Sequence, residues 1–245
     1  MIHTKLLGKY LKLRELVYKK YSKFHHVEHL EGPNILVLSP HPDDDVFGCG
    51  GTLIKHISQG HSVHVVYLCS GDKGVAKMSG TEATNIRKKE ATNAAAILGI
   101  PLSNLHFLNQ PDEQLTVDNQ LVASLQSIID EVKPNLIYLP SFVDNHPDHF
   151  QTNLLLYAVQ TGKALLSTYE IWTPHIPNRI VNITDQMEQK KQAMLAHKSQ
   201  LEMLDYYDAI IGLNQYRGCM YPKVKMGFAE AFLVTGREEY FNIFM

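Results

Sequence analysis

"LVLSPHPDDDVFGCGG", residues 36–51, runs an apolar stretch up to Pro40 and then sets one histidine and three consecutive aspartates within five residues. Glycines follow and open a predicted helix from about Cys49 to Gln59. Like charges side by side repel one another, so something must neutralise them at the end of a buried strand. The candidates are a helix N-terminus, a basic partner or a metal ion.

Working outward, "NILVLS" (34–39) reads as the first core strand and "HSVHVVYLC" (61–69), rich in β-branched residues, as the second. A polar loop (70–81) leads to a helix from about Glu82 to Leu98, ended by Gly99 and Pro101. "NLHFLN" (104–109) is the third strand, "QLVASLQSIIDEV" (120–132) an amphipathic helix, and "NLIYLP" (135–140) the fourth strand, before a helix near Pro147. Such alternation predicts an α/β fold, a Rossmann-like three-layer αβα arrangement around a mostly parallel sheet. Ligands of such sheets bind beyond the carboxyl ends of the strands, at a switch in strand order. The polar clusters 41–45 and 144–149 each follow a strand directly, so both are expected on that edge. Further on, "STYEIW" (167–172), "RIVNIT" (179–184) and "GFAEAFLV" (227–234) read as strands. Residues 185–204 read as one helix with Asp185 as N-cap. No repeat or linker interrupts the chain, so 1–245 is taken as a single domain.

A hydrophobic content of 44%, a charged content of 20% and a net charge of −2 describe an ordinary globular chain and give no electrostatic reason to expect nucleic acid. Cys49, Cys69 and Cys219 share no CxxC spacing and read as reduced thiols of a cytoplasmic protein. No run approaches a spanning helix, and no signal-peptide pattern opens the sequence. Residues 1–24 carry seven lysines and arginines against one glutamate, with Leu6, Leu7, Tyr10, Leu13, Val17, Tyr21 and Phe24 at helical spacing. An added basic amphipathic helix is therefore expected within residues 1–30. Packing against the domain or a second copy is its favoured role, and membrane-surface contact by residues 1–26 the alternative.

The first cluster offers His41, Asp43, Asp44 and Asp45; the second, "DNHPDH" (144–149), offers Asp144, His146, Asp148 and His149. Residues three apart on a tight turn point the same way, so His41 with Asp44, or His146 with His149, can share an ion. Two histidines and a carboxylate with an open position make a common catalytic zinc site. Its bound water has a pKa near about 7, and a neighbouring carboxylate and histidine can serve as base and acid. An isolated HPD is more often a turn whose Asp caps a helix. Two of them, each after a strand of one sheet, favour the metal. "GCGG" lacks both the G-x-G-x-x-G order and the P-loop Lys-Ser/Thr. His56, His61, His64, His106, His175 and His197 are not expected to do chemistry.

"HPDDDVFGCGG" resembles the H-P-D-D-E…G-C-G-G signature of the LmbE/PIG-L family of zinc-dependent N-acetylglucosaminyl deacetylases. "CSGDKG" (69–74), "RKKEATNAAAILGI" (87–100), "FLNQPDEQL" (107–115), "HPDH" (146–149) and "AMLAHKSQ" (193–200) resemble further family segments, in order. The resemblance implies His41, Asp44 and His149 as ligands of a zinc ion, with Fe2+ or another divalent ion as substitute. It implies Asp43 as base, His146 as oxyanion stabiliser and acid, and Arg87 and Asp112 as residues near the sugar. Asp144 is expected to orient His146. Asp45 stands where the family usually has glutamate, and a shorter carboxylate can still brace the turn. The implied activity is removal of the acetyl group from an N-acetylated sugar or glycoconjugate. Cleavage of another amide or ester, and sugar binding without turnover, are the alternatives.

Overall fold

The computed structural model describes residues 25–26, 31–75, 78, 80–203, 205–220 and 227–244. The amphipathic helix expected within residues 1–30 lies outside these, apart from a two-residue strand β1 (His25–His26). The core begins with β2 (Asn34–Ser39), α1 (Asp44–Ser58), β3 (Ser62–Cys69), α2 (Gly80–Leu98), β4 (Leu105–Gln110) and α3 (Asn119–Val132). It continues with β5 (Leu136–Pro140), α4 (Pro147–Ala158), β6 (Leu165–Tyr169) and β7 (Arg179–Asn182). Helices α5 (Met187–Leu195), α6 (Lys198–Leu201) and α7 (Tyr206–Cys219), strand β8 (Ala229–Gly236) and helix α8 (Arg237–Phe244) complete it.

The strands form one sheet in the order β1-β7-β8-β6-β5-β2-β3-β4, parallel except where β8 runs against β6 and β7. From β2 the chain steps outward through β3 to β4, then returns to β5 on the other flank of β2. The switch point therefore lies between β2 and β5, the two strands that the polar clusters follow. Residues alternate across β2: Ile35 and Val37 join the core under α1, α2 and α5, and Leu36 and Leu38 the core under α3, α4 and α8. A strand buried on both faces needs consecutive apolar residues, and Ile35, Leu36, Val37 and Leu38 of β2 supply them.

Three local expectations change. Helix α1 starts at Asp44 rather than near Cys49, because Asp44 and Asp45 fill a first turn where the helix dipole favours acids. Cys49 instead marks a kink (φ −143°, ψ 15°). The helix expected over 185–204 is broken: a 3-10 turn (Thr184–Gln186) precedes α5, a bend at His197 separates α5 from α6, and Asp185 is not the cap of α5. The bend allows Glu90 to accept hydrogen bonds from the Ser199 amide (2.8 Å) and hydroxyl (2.6 Å). That contact joins the segments "RKKE" (87–90) and "HKSQ" (197–200). Helix α7, absent from the sequence reading, buries Asn214 and Arg217, so no apolar stripe announces it.

Candidate metal-binding active site

Beyond the carboxyl ends of β2 and β5, one oxygen gathers three nitrogens. Asp44 Oδ2 accepts from the His41 amide at 2.8 Å and lies 3.1 Å from His41 Nδ1 and 3.3 Å from His149 Nε2. His41 comes from the turn after β2, and His149 from the first turn of α4, where Pro147 sets the helix start. One ring nitrogen from each of His41, His146 and His149 also lies within 4.8 Å of the other two. Sequence spacing pairs His41 with Asp44 and His146 with His149, and the switch point brings the two pairs together.

Two of the rings, the half-buried His41 and the buried His149, are held from behind. Asp148 Oδ2 is 3.1 Å from His41 Nε2 and accepts the Glu113 amide at 2.8 Å, while its other oxygen accepts the Leu115 amide at 3.2 Å. Asp144 Oδ1 lies 3.2 Å from His149 Nδ1. The carboxylate expected to orient the His146 ring therefore faces the His149 ring, and to His146 it offers only a bond to the backbone amide (3.1 Å). Carboxylates behind metal-binding histidines fix the ring and raise its basicity. Asp148, which the sequence reading left without a role, does this for His41.

The field of the site favours a cation. Burial opposes charge on His41, yet its bonds to Asp148 and Asp44 lift its pKa to about 10. His149 is likewise lifted to about 9, with Asp44 and Asp144 overcoming burial. Its two ring nitrogens are buried and make no well-aligned hydrogen bond despite their nearby carboxylates. Soft nitrogen donors, an anionic oxygen between them and poorly satisfied buried nitrogens fit a divalent ion of the zinc type. A second set of donors, His41, Cys69 and Asp112, is less suited. Asp112 is already committed to the amides of Gly71 (2.8 Å) and Lys73 (3.3 Å).

Asp43 sits at the N-cap position of α1, yet its side chain makes no capping bond. Its Oδ1 instead lies 3.1 Å from Arg87 Nη2. Burial and the neighbouring Asp44 raise its pKa against the pull of Arg87. The "CSGDKG" loop leaves room for that guanidinium: a Cβ at Gly74 would come within 2.3 Å of Arg87, and Gly71 also needs φ +73°. His146 Nδ1 accepts the Asp148 amide at 3.2 Å, so the neutral ring carries its proton on Nε2. Burial, His41 and His149 all push its pKa down. Asp45 is wholly buried, bonded by the Tyr67 hydroxyl (3.2 Å) and the Ser39 hydroxyl (3.4 Å); burial pushes its pKa to about 7. It braces the turn, as a shorter carboxylate there was expected to.

A cavity of about 190 Å³ opens above these groups. His41, Asp43, Asp44 and His146 line it, as do Arg87 and Asp112. Trp172 and Tyr206, which no sequence motif marks, also line it.

The sequence profile described as "PIG-L: GlcNAc-PI de-N-acetylase" matches residues 36–160. The chain is 27% identical over 187 residues to diacetylchitobiose deacetylase of Thermococcus kodakarensis, covering 68% of this chain and 69% of that one. Its fold matches the N,N'-diacetylchitobiose deacetylase from Pyrococcus horikoshii, solved with its inhibitor MPG, at a TM-score of 0.74 and 25% identity over 91% of each chain. It is also 24% identical over 203 residues to 4-oxalmesaconate hydratase of Pseudomonas putida, covering 71% of this chain and 77% of that one.

Proposed function

We propose that this chain, which belongs to the PIG-L family, is a metal-dependent hydrolase that removes the acetyl group from an N-acetylglucosamine-type sugar or glycoconjugate. The observation that carries the reading is the convergence of His41 Nδ1 and His149 Nε2 on Asp44 Oδ2, beside a carboxylate that caps nothing. His41, Asp44 and His149 would hold the ion, zinc in the first instance and Fe2+ as an alternative. A bound divalent ion supplies Lewis-acid charge to the acetamide oxygen and brings the pKa of a water to about 7.

The chain's own residues do the rest. Asp43 takes the proton of the attacking water, held in place by Arg87. The Nε2–H of His146 donates to the oxyanion that forms as the carbonyl carbon becomes tetrahedral. With Nδ1 occupied by the Asp148 amide, His146 is better suited to this donation than to carrying a second proton. Asp43 then returns its proton to the sugar nitrogen, the C–N bond breaks, and amine and acetate leave. Asp112 shapes the loop around Arg87 through Gly71 and Lys73. The thiols Cys49, Cys69 and Cys219 are unpaired, in keeping with a reducing cytoplasm, and no described helix is long and apolar enough to cross a membrane.

Purified, metal-loaded protein should release acetate and a free amine from N-acetylglucosaminides faster than it cleaves simple esters or unrelated amides. Preferential ester turnover would move the reading to another hydrolase. Saturable sugar binding with no acetate would make the chain a binding protein.

A further inference from the structure

Trp172 belongs neither to the ligand cluster nor to the proton-handling pair, yet it is built into the same cavity. Trp172 is 42% exposed, high for the largest side chain in the sequence. An exposed indole on a loose loop would mean little, but this one is held from three sides. Its amide donates to Asp144 Oδ2 at 3.1 Å, the carboxylate whose other oxygen faces His149. Its ring lies near-parallel to His146 at 6.4 Å, and Tyr206 meets it edge-on at 5.1 Å. The segment carrying it is pinned at its start, where Glu170 pairs with Arg217 of α7 and accepts the His175 amide. The indole is thus presented to the cavity in a fixed pose before any ligand arrives, and preorganisation of this kind spares a binder the ordering entropy.

Charge narrows what it presents to. Among the described lining residues, the cations Lys73 and Arg87 each face a carboxylate, Glu113 at 3.1 Å and Asp43 at 3.1 Å. Asp44 and Asp112 add further negative charge. Among the described lining residues, no side-chain cation is left without a carboxylate partner. The cavity is also smaller than the ~300 Å³ at which drug-sized pockets begin, which suits one sugar ring.

We propose that Trp172 is the sugar platform of this site and that the sugar it selects is an uncharged N-acetylglucosaminide. The axial C–H bonds of a pyranose carry partial positive charge and match the negative face of an aromatic ring. The proposal rests on the deacetylase reading for the reaction but not for the binding. Trp172 is the single tryptophan of the chain, so emission excited beyond the absorption of the 12 tyrosines reports on this position alone.

The experiment titrates metal-loaded full-length protein with methyl N-acetylglucosaminide and, separately, with N-acetylglucosamine 1-phosphate, following tryptophan emission and acetate together. The glycoside should change the emission saturably, with the phosphate weaker by about tenfold or more. Trp172→Ala should raise KM for the glycoside by about tenfold with a much smaller change in kcat, and Trp172→Phe should recover most of the loss. Emission that changes without acetate release supports the platform and overturns the reaction. Acetate release with unchanged emission and an unmoved KM in Trp172→Ala overturns the platform and leaves the reaction standing. Equal or tighter binding of the phosphate overturns the preference for an uncharged sugar.

Discussion

Two clusters of buried charge meet helix α1, one at its kink and one at its N-terminus. At the kink, Lys190 Nζ donates to Glu230 Oε1 (2.7 Å), Asn214 Oδ1 (2.9 Å) and the Phe47 carbonyl (2.9 Å), which uses all three of its protons. Glu230 in turn accepts the amides of Gly51 (2.9 Å) and Thr52 (2.8 Å). Regular helix geometry would bond the Gly51 amide to the Phe47 carbonyl, so the ion pair is spliced into the helix in place of that bond. At the N-terminus, Asp43, Asp44, Asp144 and Asp148 surround His41 and His149, and among the described residues Arg87 is the only permanent cation bonded to the group. The first cluster is closed on itself, whereas the second is short of positive charge. Buried charge by itself does not mark a function; buried charge that the chain leaves uncompensated does.

The contrast breaks most visibly at the ligands. His149→Ala should lose bound metal and acetate release together, because two remaining ligands make a poor site. His146→Ala should keep its metal while losing about 2.7–4 kcal/mol of transition-state stabilisation. Metal analysis and kinetics on the two variants check this. Metal loss in His146→Ala instead would put the three-histidine set in place of His41, Asp44 and His149.

Asp43→Asn comes next. It should retain metal and fold while kcat drops by at least about 10²-fold. Near-normal turnover with metal bound would assign the base elsewhere.

Lys190→Met addresses the other cluster. It leaves Glu230 charged and unpaired, so the stability read from urea unfolding should fall by about 3–5 kcal/mol. The metal content of the folded protein should stay that of the parent. Loss of metal with full stability would erase the distinction between the two clusters.

The smallest change expected at neutral pH concerns histidines in neither cluster. Burial and His61 push His56 down to about 3, and burial, against Glu170, pushes His175 down to about 4. Both rings are neutral when folded, whereas in the unfolded chain they take up protons below their ordinary value of 6.5. Their contribution to stability is therefore complete above about pH 6.5 and declines as pH falls towards about 4. The parent should therefore lose stability relative to His56→Gln as pH falls from about 7.5 to about 5, read from the urea midpoints of both proteins. A difference between the two that does not change with pH would mean that the His56 ring is protonated in the fold.

The strands around the switch point were legible because each is an apolar, β-branched run bounded by Pro, Gly or a charge cluster, and β2, β3 and β5 fall within one residue of expectation. The two polar clusters were legible for the same reason, since each stands where such a run stops. What escaped depends on partners distant in sequence. The bend at His197 follows from Glu90, 109 residues before Ser199, and the kink at Cys49 from Glu230, 179 residues after Gly51. Asp144 was matched to the nearer histidine, although the α4 turn carries His149 to it. Trp172 looked like the end of a strand, and only the loop beyond β6 brings it over the site.

The most direct test follows metal and acetate in one sample. Purified protein is assayed with an N-acetylglucosaminide as isolated, after exhaustive chelation, and after readdition of one equivalent of zinc, with metal content measured at each stage. The expected result is about one divalent ion per chain at the start, acetate release that disappears with the ion, and recovery on readdition. Acetate release that persists undiminished in protein shown to hold no metal would contradict the account.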